Sequence, residues 1–520
     1  MDILLVNPHQ NDAETTIPWG ILAVGSYLVS RGFSVKLLDA SIDDEPLILK
    51  QVRELLPRVG LIGVSIMSSN TPFLQQLAAE VKALKPECRV LVGGSHASLC
   101  PEQTCAEENV DFVATSAGEF TTERLIEELR RGEPDLASVP GLIYKENGVV
   151  HRTPPPPPPP WYDLDYELLD PRVVSHFGNF MEVLAGRGCS FKCTFCYNVV
   201  TGQKWIGRPV AHLMAEVERV VQRYNPRTIF FRDDLFFHNR ERIVEFIRIY
   251  REKGFRFRWW ASCRAADFRP DYINDEMLRD LAEINLAQLR FGVESGSEAI
   301  LKYIKKGIRL HHVTTAVSRL AVYPSIQLSC GFIIGFPKES YDDYLKTMGL
   351  VWWIHRTKAD SVIKGPYMYR VYPGGELYEE VQRDWGIAAP GSFQEWVDRY
   401  RKMGGYDDRI FYPWIAPEHR VLTRDAFRIF NLARWEERDK PEGAVKRVLM
   451  WPLVMVLRGR FRWGYFRHLV DFRLAQWIRE FSWWRVLGRS SLYGRLEGTA
   501  LYRWFKGTGL FAGLKRVMTG

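Results

Sequence analysis

Seven consecutive prolines, Pro154 to Pro160, cut this chain of 520 residues into two stretches that each alternate between strand and helix patterns. A proline run cannot enter a helix or the middle of a sheet, and at about 3.1 Å per residue it makes a stiff spacer or strap of roughly 20 Å. Lying between two folded stretches and running into Trp161-Tyr162-Asp163, it reads as a linker over residues 151–175 rather than as a ligand for a proline-binding module. Length asks for several domains. A hydrophobic content of 46% with 25% charged residues supplies apolar material for several cores.

Before the prolines, Ile3 to Val6, Ser34 to Leu38, Leu61 to Ser65, Arg89 to Val92 and Asp111 to Ala114 read as strands. Helix patterns cover Gly20 to Ser30, Glu45 to Leu56, Phe73 to Ala83 and Thr121 to Arg130. Continuous apolar strands separated by amphipathic helices predict a Rossmann-like α/β domain over residues 1–150, its parallel sheet covered on both faces. Ligands of such sheets bind beyond the C-terminal strand ends. At that edge fall Asn7-Pro8, the turn Ser65 to Ser69, Gly93-Gly94-Ser95-His96 and Gly118-Glu119. Any one of them makes sense as a tight turn; four on one edge favour a pocket, and Gly93-Gly94 permits close backbone approach to a large ligand. The Gly-x-Gly-x-x-Gly turn is absent, which counts against NAD or FAD.

After the linker, strands are predicted at Met181 to Leu184, Thr228 to Arg232, Phe257 to Ala261, Ala287 to Val293, Gln327 to Ile334 and Ser361 to Gly365, with helices between them. Six such units fit an open, partial (β/α)6 barrel over residues 176–385, with functional loops at the C-terminal strand ends. The first loop carries Cys189, Cys193 and Cys196 in a Cys-x3-Cys-x2-Cys spacing, with no fourth cysteine nearby. Three soft thiolates suit a cubane iron-sulfur cluster with one iron left open. The alternatives are three structural cysteines or a zinc knuckle, which would need a fourth ligand that neither His176 nor His212 is well spaced to supply. The remaining five cysteines are scattered, which fits a reducing cytosol.

The cysteine segment resembles the radical S-adenosylmethionine (radical SAM) enzymes throughout its spacing. The resemblance implies a 4Fe-4S cluster on Cys189, Cys193 and Cys196 whose open iron chelates SAM, with Phe195 packed near the adenine. One electron then cleaves SAM to methionine and a 5'-deoxyadenosyl radical, chemistry that the protein must bind, orient and shield. Later loops match further landmarks of the family. Arg264 and Glu294, in Gly292-Val293-Glu294-Ser295-Gly296, are implied contacts to the ribose or carboxylate region of SAM. Gly335 and Pro337 line the adenine. Asp233 and Asp234 match a paired-Asp motif, with one of them, taken as Asp234, facing SAM or substrate. The N-terminal domain in turn resembles the cobalamin-binding domain that precedes the core in one branch of the family. That likeness implies cobalamin contacts at Asn7, Ser65, Gly93, Gly94, Ser95 and Glu119. The Asp-x-His-x-x-Gly cobalamin motif is absent, so cobalamin would be held without a histidine on cobalt, and His96 is a poor axial ligand.

Residues 386–520 change to helices without alternating strands. Trp396, Tyr400, Tyr406, Tyr412, Trp414 and Trp435 suggest a cap over one face of the barrel. The formal charge of +8 is carried by the tail: residues 441–520 hold 15 Lys or Arg against 4 Asp or Glu, or +11, leaving −3 for the rest. Trp451, Trp463, Trp477, Trp483, Trp484 and Trp504 lie among these cations. Such a composition fits a helical cap with a solvated basic face, or peripheral contact with anionic lipid at the inner face of the cell membrane. Nucleic acid is disfavoured because no reading module is present. The longest apolar run near the C-terminus, Val448 to Leu457, is too short to span a bilayer, and no basic leader opens the chain.

The expectation is a cytoplasmic, cobalamin-dependent radical SAM methyltransferase acting on an unactivated carbon, or alternatively on phosphorus, of a small-molecule or lipid-like, apolar substrate. A flavodoxin- or ferredoxin-type electron donor is implied by the resemblance. The competing outcomes are oxidative cyclisation or rearrangement in tetrapyrrole or lipid-type biosynthesis and, from another class, a non-catalytic iron-sulfur assembly or binding protein.

Overall fold

The computed structural model describes residues 1–9, 17–115, 117–173, 179–200, 202, 204–403, 412–434, 444–466, 469 and 471–475. Two compact units divide it, Met1–Arg420 and Val421–Gly520.

The first sheet opens with β1 (Ile3–Asn7), β2 (Val35–Asp39), β3 (Leu61–Ser65), β4 (Arg89–Gly93) and β5 (Phe112–Ala114), parallel in the order β2-β1-β3-β4-β5. Side chains alternate across a strand, so each strand feeds two cores. Leu4, Val6, Ile62, Val64, Val90 and Val92 pack with Ile48 of α2 (Glu45–Leu55) and Leu74 and Leu77 of α3 (Thr71–Leu84). Ile3, Leu5, Leu37, Leu61, Leu91 and Phe112 pack with Leu28 of α1 (Trp19–Ser30) and Leu125 of α6 (Gly118–Leu129). Two short helices, α4 (Ser95–Leu99) and α5 (Pro101–Ala106), follow β4. Sequence reading missed one feature: β6 (Leu142–Glu146) and β7 (Val149–Arg152) extend the sheet as an antiparallel hairpin. Its turn is Asn147-Gly148, both at positive φ, the pair that best matches the twist of a two-residue hairpin.

The second sheet comprises β8 (Phe180–Val183), β11 (Thr228–Phe231), β12 (Arg258–Ser262), β13 (Leu286–Glu294), β14 (Gln327–Ile334) and β15 (Val362–Met368), all parallel and in sequential order. Helices Val210–Tyr224, Arg240–Glu252, Asp275–Glu283, Leu310–Ala321 and Tyr341–Thr357 connect them. Among the described residues β8 and β15 lie at opposite ends and do not pair with each other, so the sheet is open. A small antiparallel arm, β9 (Gly186–Arg187) with β10 (Ile206–Gly207), flanks the cysteine loop. Outward residues such as Phe231 and Trp259 are fully buried against Phe246 of the Arg240–Glu252 helix, with ring centroids 5.3 and 5.1 Å away.

The proline run lies against the first sheet: Gly141 N donates to Pro154 O at 2.6 Å, and a Cβ on Gly141 would come within 2.6 Å of Pro156. Its exit ties the sheets together. Tyr162 OH donates to Glu119 at 2.7 Å, and Tyr166 OH to Glu216 at 2.8 Å. Arg208, 2% exposed, bridges Glu216 at 2.7 Å and Asp163 at 2.9 Å.

The expectation that Trp396 caps the barrel is corrected. Helix Phe393–Met403 turns back onto the first domain, where Phe393 and Val397 enter the core beside α3 and Trp396 Nε1 donates to Gln103 Oε1 at 3.0 Å. Tyr412 and Trp414 do meet the second sheet: Val371 N donates to Tyr412 OH and Trp414 Nε1 to Gly335 O. In the second unit, Ile429 and Phe430 of helix Arg420–Ala433 and Val454, Leu457 and Phe461 of helix Ala444–Trp463 are buried, and the Phe430 and Phe461 rings meet edge-on at 6.2 Å. Trp451 and Trp463 are exposed. Tyr406, Trp435, Trp477, Trp483, Trp484 and Trp504 lie outside the described residues, as does His176. Among the described residues no helix is long and apolar enough to cross a membrane.

Removing Arg208 would strand the buried Glu216 carboxylate, at a cost of about 3–5 kcal/mol. Arg208→Met should therefore lower the urea midpoint of the apo chain well below that of Glu216→Gln, as followed by far-ultraviolet circular dichroism; equal midpoints would contradict a structural role for the pair.

Candidate cofactor site

The cysteine loop is anchored at its root. Beyond β8, Ala185 N donates to Asp233 Oδ1 at 2.7 Å and Ala185 O accepts from Arg242 Nη2 at 2.6 Å. Burial pushes the Asp233 carboxyl up to about 7. The chain then turns at Gly188, whose φ is +74°, and delivers Cys189, Cys193 and Cys196. Cys196 N donates to Cys193 O at 3.0 Å, and Thr194 N to Ile304 O at 3.1 Å, so the loop is tied both to itself and to the second domain. Cys193 is buried, while Cys189 and Cys196 are half-buried. Burial raises the Cys189 and Cys196 thiols, with the Cys193 sulfur adding to it. Iron would reverse that preference by binding the thiolates.

Among the described residues no three His, Cys, Asp or Glu side chains converge tightly enough to hold a single ion. A cubane asks for a wider triangle, because each thiolate meets its own iron. Cys189, Cys193 and Cys196 on one clamped loop are the three thiols that would hold it.

Around the loop stand the residues expected to contact SAM. Phe195 packs against Phe336, with ring centroids 5.8 Å apart, beside the buried Gly335 and Pro337. Gly335 sits at φ +85°, and its N–H, with that of Phe336, donates to Glu339 Oε2. Asp234 is exposed and accepts from Asn198 Nδ2 at 2.8 Å. The Arg264 guanidinium lies 3.4 Å from the Phe191 ring centroid and donates to Lys306 O. Glu294 has a left-handed backbone, φ +68°, at a bulge in β13, and accepts from Lys306 Nζ at 2.7 Å. A Cβ on Gly292 would lie 2.0 Å from Glu294 Oε1, so a side chain there would push the Glu294–Lys306 pair out of place. Lys306 and Glu339 escaped the sequence reading. Glu339 could have been found as the carboxylate four residues after Gly335; nothing local pairs Lys306 with Glu294.

At the first sheet's edge, Ile66 N donates to Gly93 O at 2.9 Å. Gly94 sits at φ +95°, where a Cβ would lie 2.6 Å from the Ile66 backbone. A Cβ on Gly93 would meet nothing nearer than Ala114 O at 4.0 Å, so open space lies above β4, beside Ser65 and Ser95. A large ring system fits such a ledge. His96 lies behind it with no exposure, Nδ1 beside Ser68 Oγ at 2.9 Å and the ring edge-on to Trp396 at 5.3 Å; burial pushes it down to about 4. Asn7 is committed to Asp39, donating at 2.8 Å. Glu119 holds Tyr162 and approaches Arg187 Nη1 at 3.7 Å.

Arg187 precedes Cys189 by two residues, so this contact brings the C-terminal edges of the two sheets together. Trp19 Nε1, at the start of α1, reinforces it by donating to Glu182 Oε2 of β8 at 2.8 Å. The Tyr197 phenol, next to Cys196, lies beside the Ser98 hydroxyl of α4.

Residues 183–351 match the Radical SAM superfamily and residues 11–131 the B12 binding domain. An uncharacterized methyltransferase of Pyrococcus horikoshii is 30% identical over 394 residues, 73% of this chain and 83% of the relative. The chain belongs to the cobalamin-dependent radical SAM enzymes. Its fold is similar to that of the radical SAM methyltransferase TsrM from Kitasatospora setae, with a TM-score of 0.64 and 16% identity over 89% of this chain and 97% of that one. It is also similar to the cobalamin-dependent radical SAM enzyme OxsB with aqua-cobalamin and SAM bound, with a TM-score of 0.63 and 18% identity over 89% and 71%. The cofactors of this radical SAM enzyme are a 4Fe-4S cluster, SAM and cobalamin. Both domains and the methyltransferase-named relatives support a cobalamin-dependent methyltransferase.

Burial pushes the Glu339 carboxyl up to about 8, and its Oε1 finds no hydrogen-bond partner. The folded-state value lies above the unfolded one, so this group's stability is fully present below the ordinary carboxylate range and is lost as pH rises through about 8. Glu339→Gln should gain thermal midpoint relative to the native chain between roughly pH 6 and pH 9. A difference that does not change with pH would contradict a protonated Glu339.

Proposed function

We propose that this enzyme transfers a methyl group to an unactivated carbon of its substrate. The observation that carries the reading is the meeting of two ligand-binding sheet edges, one bearing the Gly93 ledge and the other the cysteine loop, through Glu119–Arg187 and Trp19–Glu182. When bound, the cluster supplies one electron to SAM, SAM supplies hydrogen abstraction and methyl groups, and cobalamin carries the methyl to be transferred.

The side chains divide the remaining work. Cys189, Cys193 and Cys196 would hold the cluster, and Asp233 and Arg242 fix the loop that presents them. Phe195, Gly335 and Pro337 form an apolar wall for the adenine. Arg264 and the Glu294–Lys306 pair offer donors and an acceptor to the carboxylate, ammonium and ribose of SAM. Asp234 stands at the mouth with Asn198. Gly93 leaves room for a corrin face beside Ser65 and Ser95, Gly94 holds the turn against Ile66, and Asn7 and Glu119 act on that edge through Asp39, Tyr162 and Arg187. Aromatic walls exclude the water that would quench reactive species.

Electrons would come from a flavodoxin- or ferredoxin-type protein reaching the loop where Lys192 is exposed. The exposed Trp451 and Trp463 of the basic C-terminal unit support peripheral contact with anionic lipid. Co-sedimentation with phosphatidylserine-containing vesicles, lost in Trp451→Ala/Trp463→Ala, would bear this out; equal sedimentation with neutral vesicles would refute it.

The methyl transfer is tested with anaerobically reconstituted full-length enzyme, SAM carrying a trideuterated methyl group, and small-metabolite extracts. A product with the intact trideuteromethyl group on carbon, formed alongside 5'-deoxyadenosine, is expected. Cys193→Ala should abolish both. Deoxyadenosine without label in any product would overturn methyl transfer in favour of rearrangement or cyclisation.

A further inference from the structure

The turn that leaves β14 is shaped through its backbone. Gly335 is buried at φ +85° and has no side chain to orient it, so its peptide groups must do so. Its N–H donates to Glu339 Oε2 at 2.5 Å, and the N–H of Phe336 donates to the same oxygen at 3.1 Å. Its carbonyl accepts from Trp414 Nε1 at 2.9 Å. One glycine is thus held by a carboxylate four residues on and by an indole 79 residues on.

Trp414 belongs to a short strap, residues 412–419, that follows the barrel strands. Tyr412 and Trp414 stack, with ring centroids 4.5 Å apart and planes 11° apart. Val371 N, just past β15, donates to Tyr412 OH at 3.0 Å, and Ile415 N donates to Tyr412 O at 3.0 Å. Trp385, the last residue of helix Glu376–Trp385, meets Trp414 edge-on at 5.6 Å. His419 stacks at 4.4 Å on Tyr341, the first residue of the helix that follows the turn. The strap therefore runs from the exit of β15, over the exit of β14, to the start of the next helix.

Beneath the strap lies the small core that supports the third part of the cysteine loop. Trp414 and Phe195 both pack against the buried group Ile300, Ile304, Phe336, Tyr369 and Leu377. Phe336 stands between the two sides, 5.8 Å from the Phe195 ring and 5.1 Å from that of Tyr369. Lifting the strap would leave the buried Gly335 carbonyl without its indole donor and uncover one flank of this core. A buried carbonyl deprived of its donor is costly, so the turn would shift to recover one.

We propose that Trp414 is a positioning residue for SAM: docking of the strap on Gly335 fixes the turn that receives the adenine, and SAM in turn holds the strap down. This rests on the assignment of Gly335 and Pro337 to the adenine and adds a residue from outside the barrel. Trp414 acts through Gly335 and Phe336 and touches no reacting atom. Linkage makes the effect mutual, because a strap that tightens SAM binding when docked must itself be stabilised by SAM to the same factor.

The test uses anaerobically reconstituted, unreduced full-length enzyme whose cluster and cobalamin contents are first quantified. SAM, 5'-methylthioadenosine and methionine are titrated by calorimetry into the native enzyme and Trp414→Phe, which keeps an aromatic ring against Tyr412 and loses the N–H. The loss of one neutral hydrogen bond should weaken SAM and 5'-methylthioadenosine by roughly fivefold to tenfold. Methionine, which has the chelating groups but no adenine, should bind both proteins alike. Under reduction, the KM for SAM in 5'-deoxyadenosine formation should rise while kcat holds. Unchanged SAM affinity, equal weakening of methionine, or a fall in kcat at unchanged KM would overturn the proposal. Hydrogen exchange on the native chain decides the matter should the variant not fold. SAM should slow the backbone amides of residues 332–339 and of residues 412–416 together. Protection of the first segment alone would overturn the coupling and leave the adenine assignment standing, whereas protection of neither would overturn both.

Discussion

The structure depends on two sheet edges being turned toward each other. A parallel sheet collects all its strand exits on one side, so a ligand between two such sheets requires the two exit edges to meet. Here the meeting is made by buried polar contacts. Glu182 is fully buried in β8 and takes its hydrogen bond from Trp19, at the start of the first helix of the other domain. Glu119 is nearly buried at the opposite edge and holds Tyr162, just past the prolines, with Arg187 nearby, just before the cysteines. A buried carboxylate deprived of its partner is strongly destabilising, so these contacts permit little other arrangement of the edges. The proline strap limits it further, because Trp161 Nε1 donates to Gly207 O and the Asp165 N–H to Ser26 Oγ, one on each domain.

The second sheet works under two demands that its alternating strands keep apart. Radical chemistry favours a dry, closed setting, whereas the inner face carries the polar side chains of Arg232, Arg290 and Lys364. Period-two alternation resolves the conflict by sending Ile229, Phe231, Trp259 and Leu289 outward to the helices, where they supply the core, and leaving the inner positions free of that duty. Phe230 and Trp260 then serve as the apolar floor on which Arg232 and Arg290 lie. The expectation of an apolar substrate came from the tryptophan-rich tail, which lies in a separate compact unit.

Most of the architecture was legible in the sequence because it is written in local patterns. Apolar runs of four to eight residues bounded by helices marked eleven strands to within about two residues at the start of each. The hairpin β6–β7 was missed although Asn147-Gly148 announces it; Lys145 and Glu146 interrupt its apolar pattern, and the prolines beside it drew the boundary too early. The helix bearing Trp396 reads as a cap in sequence, yet which surface it covers depends on Phe393 and Val397 finding a groove beside α3, a contact some 300 residues away in the chain. The cysteine loop was plain. Its supports were less so: Lys306 reaches Glu294 only because Glu294 adopts a left-handed backbone, and no spacing rule anticipates that.

The paired aspartates show how such a site assigns roles that sequence leaves open. Asp233 and Asp234 are neighbours of the same chemistry, but successive residues leaving a strand point to opposite sides. Asp233 turns under the cysteine loop, where burial raises its carboxyl and Ala185 N–H engages one oxygen. Asp234 turns outward beside Asn198, two residues past Cys196. The first holds the loop where it is shielded from water, while the second, beside Asn198, keeps surface exposure. A single residue could not satisfy both conditions, which gives the pair a physical reason: one carboxylate sets the position of the thiols, and the other stays exposed beside Asn198.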